Sequence, residues 1–208
     1  MSSGLFEAML VAAVPAAAYL PMAGRPPSAF RTLVKTLPLS VFAVIAALTG
    51  APWLLVAALA LSALGDACLA QEGETAFLAG LGSFLFAHLA YMWVFISEGG
   101  GWGAAPVPVL AAIVVFALVY GGYLVRHAGP LTVPVAVYVL AIAAMGFGAA
   151  TIGGMVLLGA ALFMASDAIL GAEKFLLPKD RGVLKATAPA VWIFYFAGQA
   201  LILYGLMT

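Results

Sequence analysis

Two aspartates, Asp66 and Asp167, lie near the ends of apolar runs in a chain that carries very little charge. They occur in the stretches ALSALGDACLAQE and FMASDAILGAE, and each is followed at the same spacing by a glutamate, Glu72 or Glu173. An ionised carboxylate in hydrocarbon is energetically unfavourable, so such residues normally face a bundle interior or a wet cavity. The repeated acid therefore indicates a functional site.

We expect the two aspartates to act as a catalytic pair. Two carboxyls in one pocket of low polarity titrate together, so that one is protonated while the other is ionised. This combination supplies a general acid and a base or charge stabiliser at once. It also suits proton-coupled transport. A plainer alternative places both aspartates at helix ends, paired with Lys35 or with a loop arginine.

The composition is that of an all-α, polytopic integral membrane protein. Of its 208 residues, 66% are hydrophobic and 8% are charged, whereas soluble domains carry about 25% charged residues. A membrane-spanning helix needs roughly 20 apolar residues, and about eight such helices can be drawn. The predicted spans are residues 5–23, 33–50, 53–70, 76–97, 105–124, 131–150, 152–172 and 187–207. They form a single membrane domain, residues 1–208, without a soluble part.

Two details of this assignment concern the number of helices and the nature of the first span. The sixth and seventh spans almost touch, so a count of seven helices is the alternative. The first span lacks a basic leader, and we expect it to be a retained helix rather than a cleaved signal.

The chain also has the pattern of two parallel four-helix halves, residues 1–104 and 105–208. Asp66 and Asp167 fall on the third and seventh predicted helices, which run in the same direction. LPLSVF and VPVAVY correspond on the second and sixth helices, and FLFA and FYFA on the fourth and eighth. Such a pattern is typical of duplicated membrane proteins, although apolar segments also resemble one another by chance.

Polar residues on other predicted helices are expected to complete the site. The candidates for substrate binding are Lys35, His88, Tyr138, Tyr195 and Gln199. Each has a structural alternative, because such side chains also form hydrogen bonds between membrane helices. A shared pocket is favoured by the joint presence of carboxylates, a lysine, a histidine and two tyrosines.

No metal, no other cofactor and no nucleic-acid partner is expected. The single cysteine, Cys68, and the two histidines, His88 and His127, lack the spacing of metal ligands. The oligomeric state is left open.

Basic residues predict the orientation of the chain. They fall at the first, fifth and seventh connections, and none lies at an even-numbered connection or a terminus: Arg25, Arg31, Lys35, Arg126, Lys174, Lys179, Arg181 and Lys185. Because positively charged connections stay in the cytoplasm, we expect both termini outside the cytoplasm, in a bacterial inner (plasma) membrane.

At these residues the sequence resembles the lysoplasmalogenase (YhhN-like) family of integral membrane proteins. The matching stretches are LALSALGDACLA, FLAGLGSFLFAHLAYMWVF, YVLAIAAM, GAALFMASDAILGAEKF and YFAGQALILYG, with a weaker match at KTLPLS. The Gly-Asp and Ser-Asp motifs are the more specific part. The chain departs from the family pattern at Thr36, where a proline often stands, and at Gly198, where alanine is usual.

The resemblance implies hydrolysis of the vinyl ether bond of lysoplasmalogens to a fatty aldehyde and glycerophosphocholine or glycerophosphoethanolamine. The partners are then the lipid bilayer and a lysophospholipid substrate. Its phosphate is expected to meet Lys35, with Arg126 and Lys185 as further candidates. Asp66 and Asp167 become the catalytic acids.

The main alternative is a proton-coupled transporter of small solutes. Parallel repeats with intramembrane acids are also typical of transporters, and prolines at matching positions of the two halves, Pro38 and Pro134, keep this alternative open.

Overall fold

The computed structural model describes residues 2–178 and 180–208, with side-chain detail from residue 5 onward except at residues 179 and 181. Lys179 and the side chain of Arg181, two of the basic positions above, therefore lie outside the described residues. The described chain forms eight α-helices: α1 Ser2–Tyr19, α2 Ala29–Leu48, α3 Trp53–Leu69, α4 Glu74–Glu98, α5 Val107–His127, α6 Thr132–Ile152, α7 Gly154–Phe175 and α8 Arg181–Met207.

The all-α membrane fold and the number of helices are as predicted. Seven helices have the length and hydropathy of a membrane span, and α3, with 17 residues, is shorter. The open question at the sixth connection is settled by Gly153 and Gly154, whose φ angles of 77° and 51° break the chain between α6 and α7. Residues that carry a Cβ atom rarely adopt a positive φ angle, whereas glycine does so readily. These two glycines therefore permit a turn with almost no loop.

Two helices begin four or more residues earlier than the hydropathy pattern predicts. α2 starts at Ala29 rather than near residue 33, and α8 starts at Arg181 rather than near residue 187. In both cases a capping side chain fixes the start. Ser28 accepts a hydrogen bond from the backbone N–H of Arg31, and Asp180 accepts one from that of Val183. Polar first turns of this kind are part of the helix but not of its apolar run.

The helices pack mainly against their neighbours in sequence, and α4 also packs against α6. Trp192 in α8 donates a hydrogen bond of 2.8 Å to the Ala16 carbonyl of α1 and so joins the last helix to the first. The alternating helix directions bring the connections 20–28, 70–73, 128–131 and 176–180 to one end of the bundle. We call it the basic end, because Arg25 and Lys174 lie at or beside these connections.

α3 and α5 depart from regular membrane spans. At about 1.5 Å per residue, α3 is about 25 Å long, which is somewhat short for a hydrocarbon core of roughly 30 Å. It places Asp66 within one turn of its last residue, at the basic end. α5 contains a π-helical segment, Ala117–Gly121.

Glycine contacts hold α7 against α8. A Cβ atom on Gly159 would lie 2.6 Å from the Gly198 carbonyl oxygen and 2.9 Å from an Ile202 side-chain carbon. Close approach at small residues is how membrane helices gain van der Waals contact, since lipid supplies no hydrophobic driving force between them. Gly198, one of the departures from the family pattern, therefore has a packing role here.

We predict that Gly159→Ala lowers the thermal stability of the purified protein. The added methyl group meets backbone atoms that cannot move aside, and overpacking of this kind costs about 1–3 kcal/mol. Gly82→Ala in α4 is the matched control, because no atom lies within 4 Å of its added Cβ. The control should change stability by less than about 1 kcal/mol. Equal melting temperatures for the two variants would contradict this account of the contact.

Candidate active site

A cavity of about 500 Å³ lies at the basic end, and both aspartates line it. Residues of the connections 20–28, 70–73 and 176–180 also line it, so the cavity opens at that end. Glu72 and Glu173, the glutamates of the repeated pattern, lie on its walls as well. The predicted pair therefore shares one space inside the bundle.

Asp66 is buried, and each of its carboxyl oxygens has one partner. The ammonium of Lys35 lies 3.3 Å from Asp66 Oδ1, and the Tyr195 hydroxyl donates a hydrogen bond of 2.8 Å to Oδ2. The side chains of Lys35 and Asp66 are 12% and 3% exposed. The pair neutralises two charges that would otherwise be very unfavourable in an apolar bundle.

Asp167 has different partners. The Tyr138 hydroxyl donates a hydrogen bond of 2.7 Å to Asp167 Oδ2, and His88 Nε2 lies 3.1 Å from the same oxygen. His88 Nε2 also lies 3.0 Å from the Tyr138 hydroxyl, and its Nδ1 lies 3.1 Å from the sulfur of Met145. The two aspartates are therefore chemically unlike, since a lysine holds one and a histidine and a tyrosine hold the other.

An aromatic cluster connects the two aspartate environments. The ring centre of Phe163 lies 4.7 Å from that of His88 and 5.2 Å from that of Tyr195. Phe84 presents its edge to both Phe163 and Tyr195, at 6.0 and 5.7 Å. These buried rings fix the relative positions of the groups around Asp66 and Asp167, and Phe84 also lines the cavity.

The predicted substrate-binding residues fall into three groups. Lys35 and Tyr195 line the cavity beside Asp66. His88 and Tyr138 hold Asp167 instead of lining the cavity. Gln199 is fully buried and lies in a separate network, where it accepts a hydrogen bond from the Tyr91 hydroxyl and donates one of 3.0 Å to Ser62.

Arg31 is a cavity residue that the sequence analysis counted only as a charge of the first connection. Its guanidinium donates hydrogen bonds to the Ala70 carbonyl, the Tyr19 hydroxyl and the Met22 carbonyl, at 2.9, 3.0 and 3.3 Å. Arg31 and Lys35 are one helical turn apart, so both project from the same face of α2. Because α2 begins at Ala29, both residues belong to one helix, and their spacing alone predicts the shared face.

The pairing of Lys35 with Asp66 is also what a purely structural salt bridge would show. The shared cavity favours a functional pair, because a structural salt bridge requires no second carboxyl and no space beside it. One carboxyl paired with an ammonium group and a second held by a tyrosine and a histidine, both at one cavity, are suited to general acid–base chemistry.

Comparisons with known proteins identify the family. The YhhN family profile matches residues 30–206. Human lysoplasmalogenase TMEM86B is 34% identical over 178 residues, which cover 83% of this chain and 74% of the human protein. The rat protein of the same name is 35% identical over 155 residues, or 72% of this chain and 60% of the relative.

A bacterial relative gives the same result. The lysoplasmalogenase of Mycobacterium bovis is 39% identical over 163 residues, which cover 73% of this chain. The chain spans about three-fifths of the length of the mycobacterial and rat relatives. No solved structure matches it significantly. The resemblance seen in the sequence is confirmed, and the chain belongs to the YhhN family.

Proposed function

We propose that this protein hydrolyses the vinyl ether bond of lysoplasmalogens, releasing a fatty aldehyde and glycerophosphocholine or glycerophosphoethanolamine. The observation that carries the proposal is the cavity within an apolar bundle, lined by two carboxyls with different partners. The names of the relatives support the same activity. A single-chain lipid can reach such a cavity from the bilayer, which explains why the site lies among membrane helices.

The reaction consumes one water molecule. A proton is added to the β-carbon of the vinyl ether, and the electron pair of the double bond forms the new C–H bond. The resulting oxocarbenium ion is attacked by water, which loses a proton to a base. The hemiacetal then collapses to the aldehyde and the glycerol hydroxyl. Glycosidases likewise place two carboxyl groups around an oxocarbenium-like transition state.

Asp167 is the proton donor in this mechanism. Tyr138 and His88 both contact Oδ2, so the other carboxyl oxygen takes part in neither contact. His88 is fully buried and holds the Asp167 carboxyl in position. Both carboxyls line the cavity, so the proton that Asp66 takes from water returns to Asp167 through water in the cavity after each turnover.

Asp66 is the charge stabiliser and the base that accepts the proton of water. The neighbouring ammonium of Lys35 keeps the carboxylate ionised, and the Tyr195 hydroxyl fixes its orientation. A preorganised negative charge beside a forming cation is worth most where water is largely excluded.

Arg31 is the phosphate contact in this proposal, in place of the role expected of Lys35. The Lys35 ammonium is already engaged with Asp66, whereas Arg31 lies one turn closer to the basic end. Its three hydrogen bonds leave two of the five guanidinium N–H groups for a phosphate. The positive-inside rule places this end in the cytoplasm, so the substrate would come from the inner leaflet.

We predict that Asp66→Asn and Asp167→Asn each lower aldehyde release by about 10²–10⁴-fold, the usual contribution of a general acid or base. The assay uses purified protein in detergent micelles with a lysoplasmalogen. Asp180→Asn is the matched control, because Asp180 is exposed and asparagine caps a helix equally well.

The same assay separates the hydrolase from the transporter. Micelles hold no gradient, so a transporter would release no aldehyde from the wild type or from any variant. Full activity of both Asn variants at Asp66 and Asp167 would remove the two acids from the mechanism.

A second prediction separates the roles of Lys35 and Arg31. Lys35→Met should lower kcat by roughly 10²-fold, since Asp66 loses the cation that keeps it ionised. Arg31→Gln should instead raise KM by roughly 10- to 100-fold, the value of a hydrogen bond to a charged group, with a smaller effect on kcat. A Lys35→Met variant that changes KM alone would restore the phosphate role to Lys35.

A further inference from the structure

A narrow apolar groove adjoins the cavity at Asp167. Its volume is about 50 Å³, and it lies between α4, α5, α6 and α7. The residues that belong to the groove and not to the larger cavity include Leu81, Leu124, Val135, Val139, Gly171 and Phe175. Tyr138 and Asp167 supply polar groups to its wall, and they are hydrogen-bonded to each other.

The groove and the cavity lie next to each other. Both are lined by Leu69, Phe77, Phe84, Asp167 and Leu170. Leu81, Val139 and Phe175 are only partly buried, so the groove also approaches the lipid-facing side of the bundle. A molecule that occupied both spaces would have its polar part in the cavity, its apolar part in the groove and its junction at Asp167.

The walls of the groove are built separately from the main core. Leu124, Ala128, Leu131 and Val135 form their own small hydrophobic cluster. α5 reaches this place through its π-helical segment, and π-bulges inside helices are frequent at functional sites.

Two glycines let the surrounding helices close tightly around the groove. A Cβ on Gly121 would lie 2.5 Å from a methyl group of Val139, and one on Gly171 would lie 2.8 Å from a methyl group of Leu124. The Tyr120 hydroxyl, next to Gly121, donates a hydrogen bond to the Ala168 carbonyl of α7. The groove is therefore a narrow slot with fixed walls.

We propose that this groove holds the first carbons of the substrate's hydrocarbon chain and selects a single, unbranched chain next to the vinyl ether. The inference rests on the proposed function, because it places the reacting carbons at Asp167. The slot is too narrow for two chains side by side, which matches a lysolipid. Carbons beyond the slot lie in lipid, so selectivity is strong near the ether and weak for total chain length.

The test uses two valines of α6 that differ in position. Val135 is 3% exposed and lines the groove, whereas Val133 is 71% exposed. Val135→Phe should lower kcat/KM for an unbranched lysoplasmalogen by roughly 10- to 100-fold. Each methylene that the ring displaces from the groove should account for about fourfold of this loss. Val133→Phe should leave it unchanged, and thermal melting of both variants checks their folding.

A second variant tests the groove through a gain of activity, because it enlarges the groove instead of filling it. Leu124→Ala should admit a lysoplasmalogen with a methyl branch on the carbons nearest the vinyl ether, which the wild type turns over poorly. Failure to gain turnover of the branched lipid, together with equal activity of Val135→Phe and Val133→Phe, would overturn the proposal.

Photolabelling locates the chain independently of catalysis. The probe is a saturated 1-O-alkyl lysophosphatidylethanolamine with a diazirine near the ether oxygen, a lipid that the proposed reaction does not cleave. Label on the groove residues of α5, α6 or α7 in the wild type, lost in Val135→Phe and kept in Val133→Phe, is the expected result. Label elsewhere with normal aldehyde release would overturn this inference and leave the hydrolase proposal intact. Label in the groove without aldehyde release from a lysoplasmalogen would overturn the hydrolase proposal and leave the groove as the place where the alkyl chain binds.

Discussion

The ion pair between Lys35 and Asp66 is the contact on which the rest of the site depends. Each charge alone would be very unfavourable among apolar helices. The pair is tolerated because Lys35 Nζ lies 3.3 Å from Asp66 Oδ1, and Tyr195 donates a further hydrogen bond to the carboxylate. The pair joins α2 to α3 at the basic end, and Tyr195 adds α8. A charged carboxylate is thereby held at the wall of a cavity, within one turn of the end of a short helix.

The two aspartates have related surroundings in sequence but different ones in space. Asp66 is balanced by a lysine, whereas Asp167 contacts a tyrosine and a buried histidine. That asymmetry is what a reaction with one proton donor and one charge stabiliser requires. The aromatic cluster around Phe163 contacts His88 on one side and Tyr195 on the other. The same cluster therefore positions the partners of both Asp167 and Asp66.

Hydropathy predicted the helices because a spanning segment must be apolar, and the two acids stood out because carboxylates are so unfavourable there. The starts of α2 and α8 were predicted too late, since their polar first turns are defined by caps at Ser28 and Asp180. Gln199 was grouped with the site because it is a polar residue on a predicted membrane helix. Its contacts with Tyr91 and Ser62 depend on how three helices pack, which a single sequence does not specify.

In the proposed reaction, the vinyl ether is protonated on carbon, and water attacks the vinyl carbon that bears the ether oxygen. The most direct test is the cleavage of a lysoplasmalogen in ¹⁸O-enriched water, with the saturated ether lipid in parallel and both products analysed by mass spectrometry. The account predicts an unlabelled glycerophospho product, with the water oxygen entering the aldehyde, and no cleavage of the saturated ether. Label in the glycerophospho product, or cleavage of the saturated ether, would contradict it.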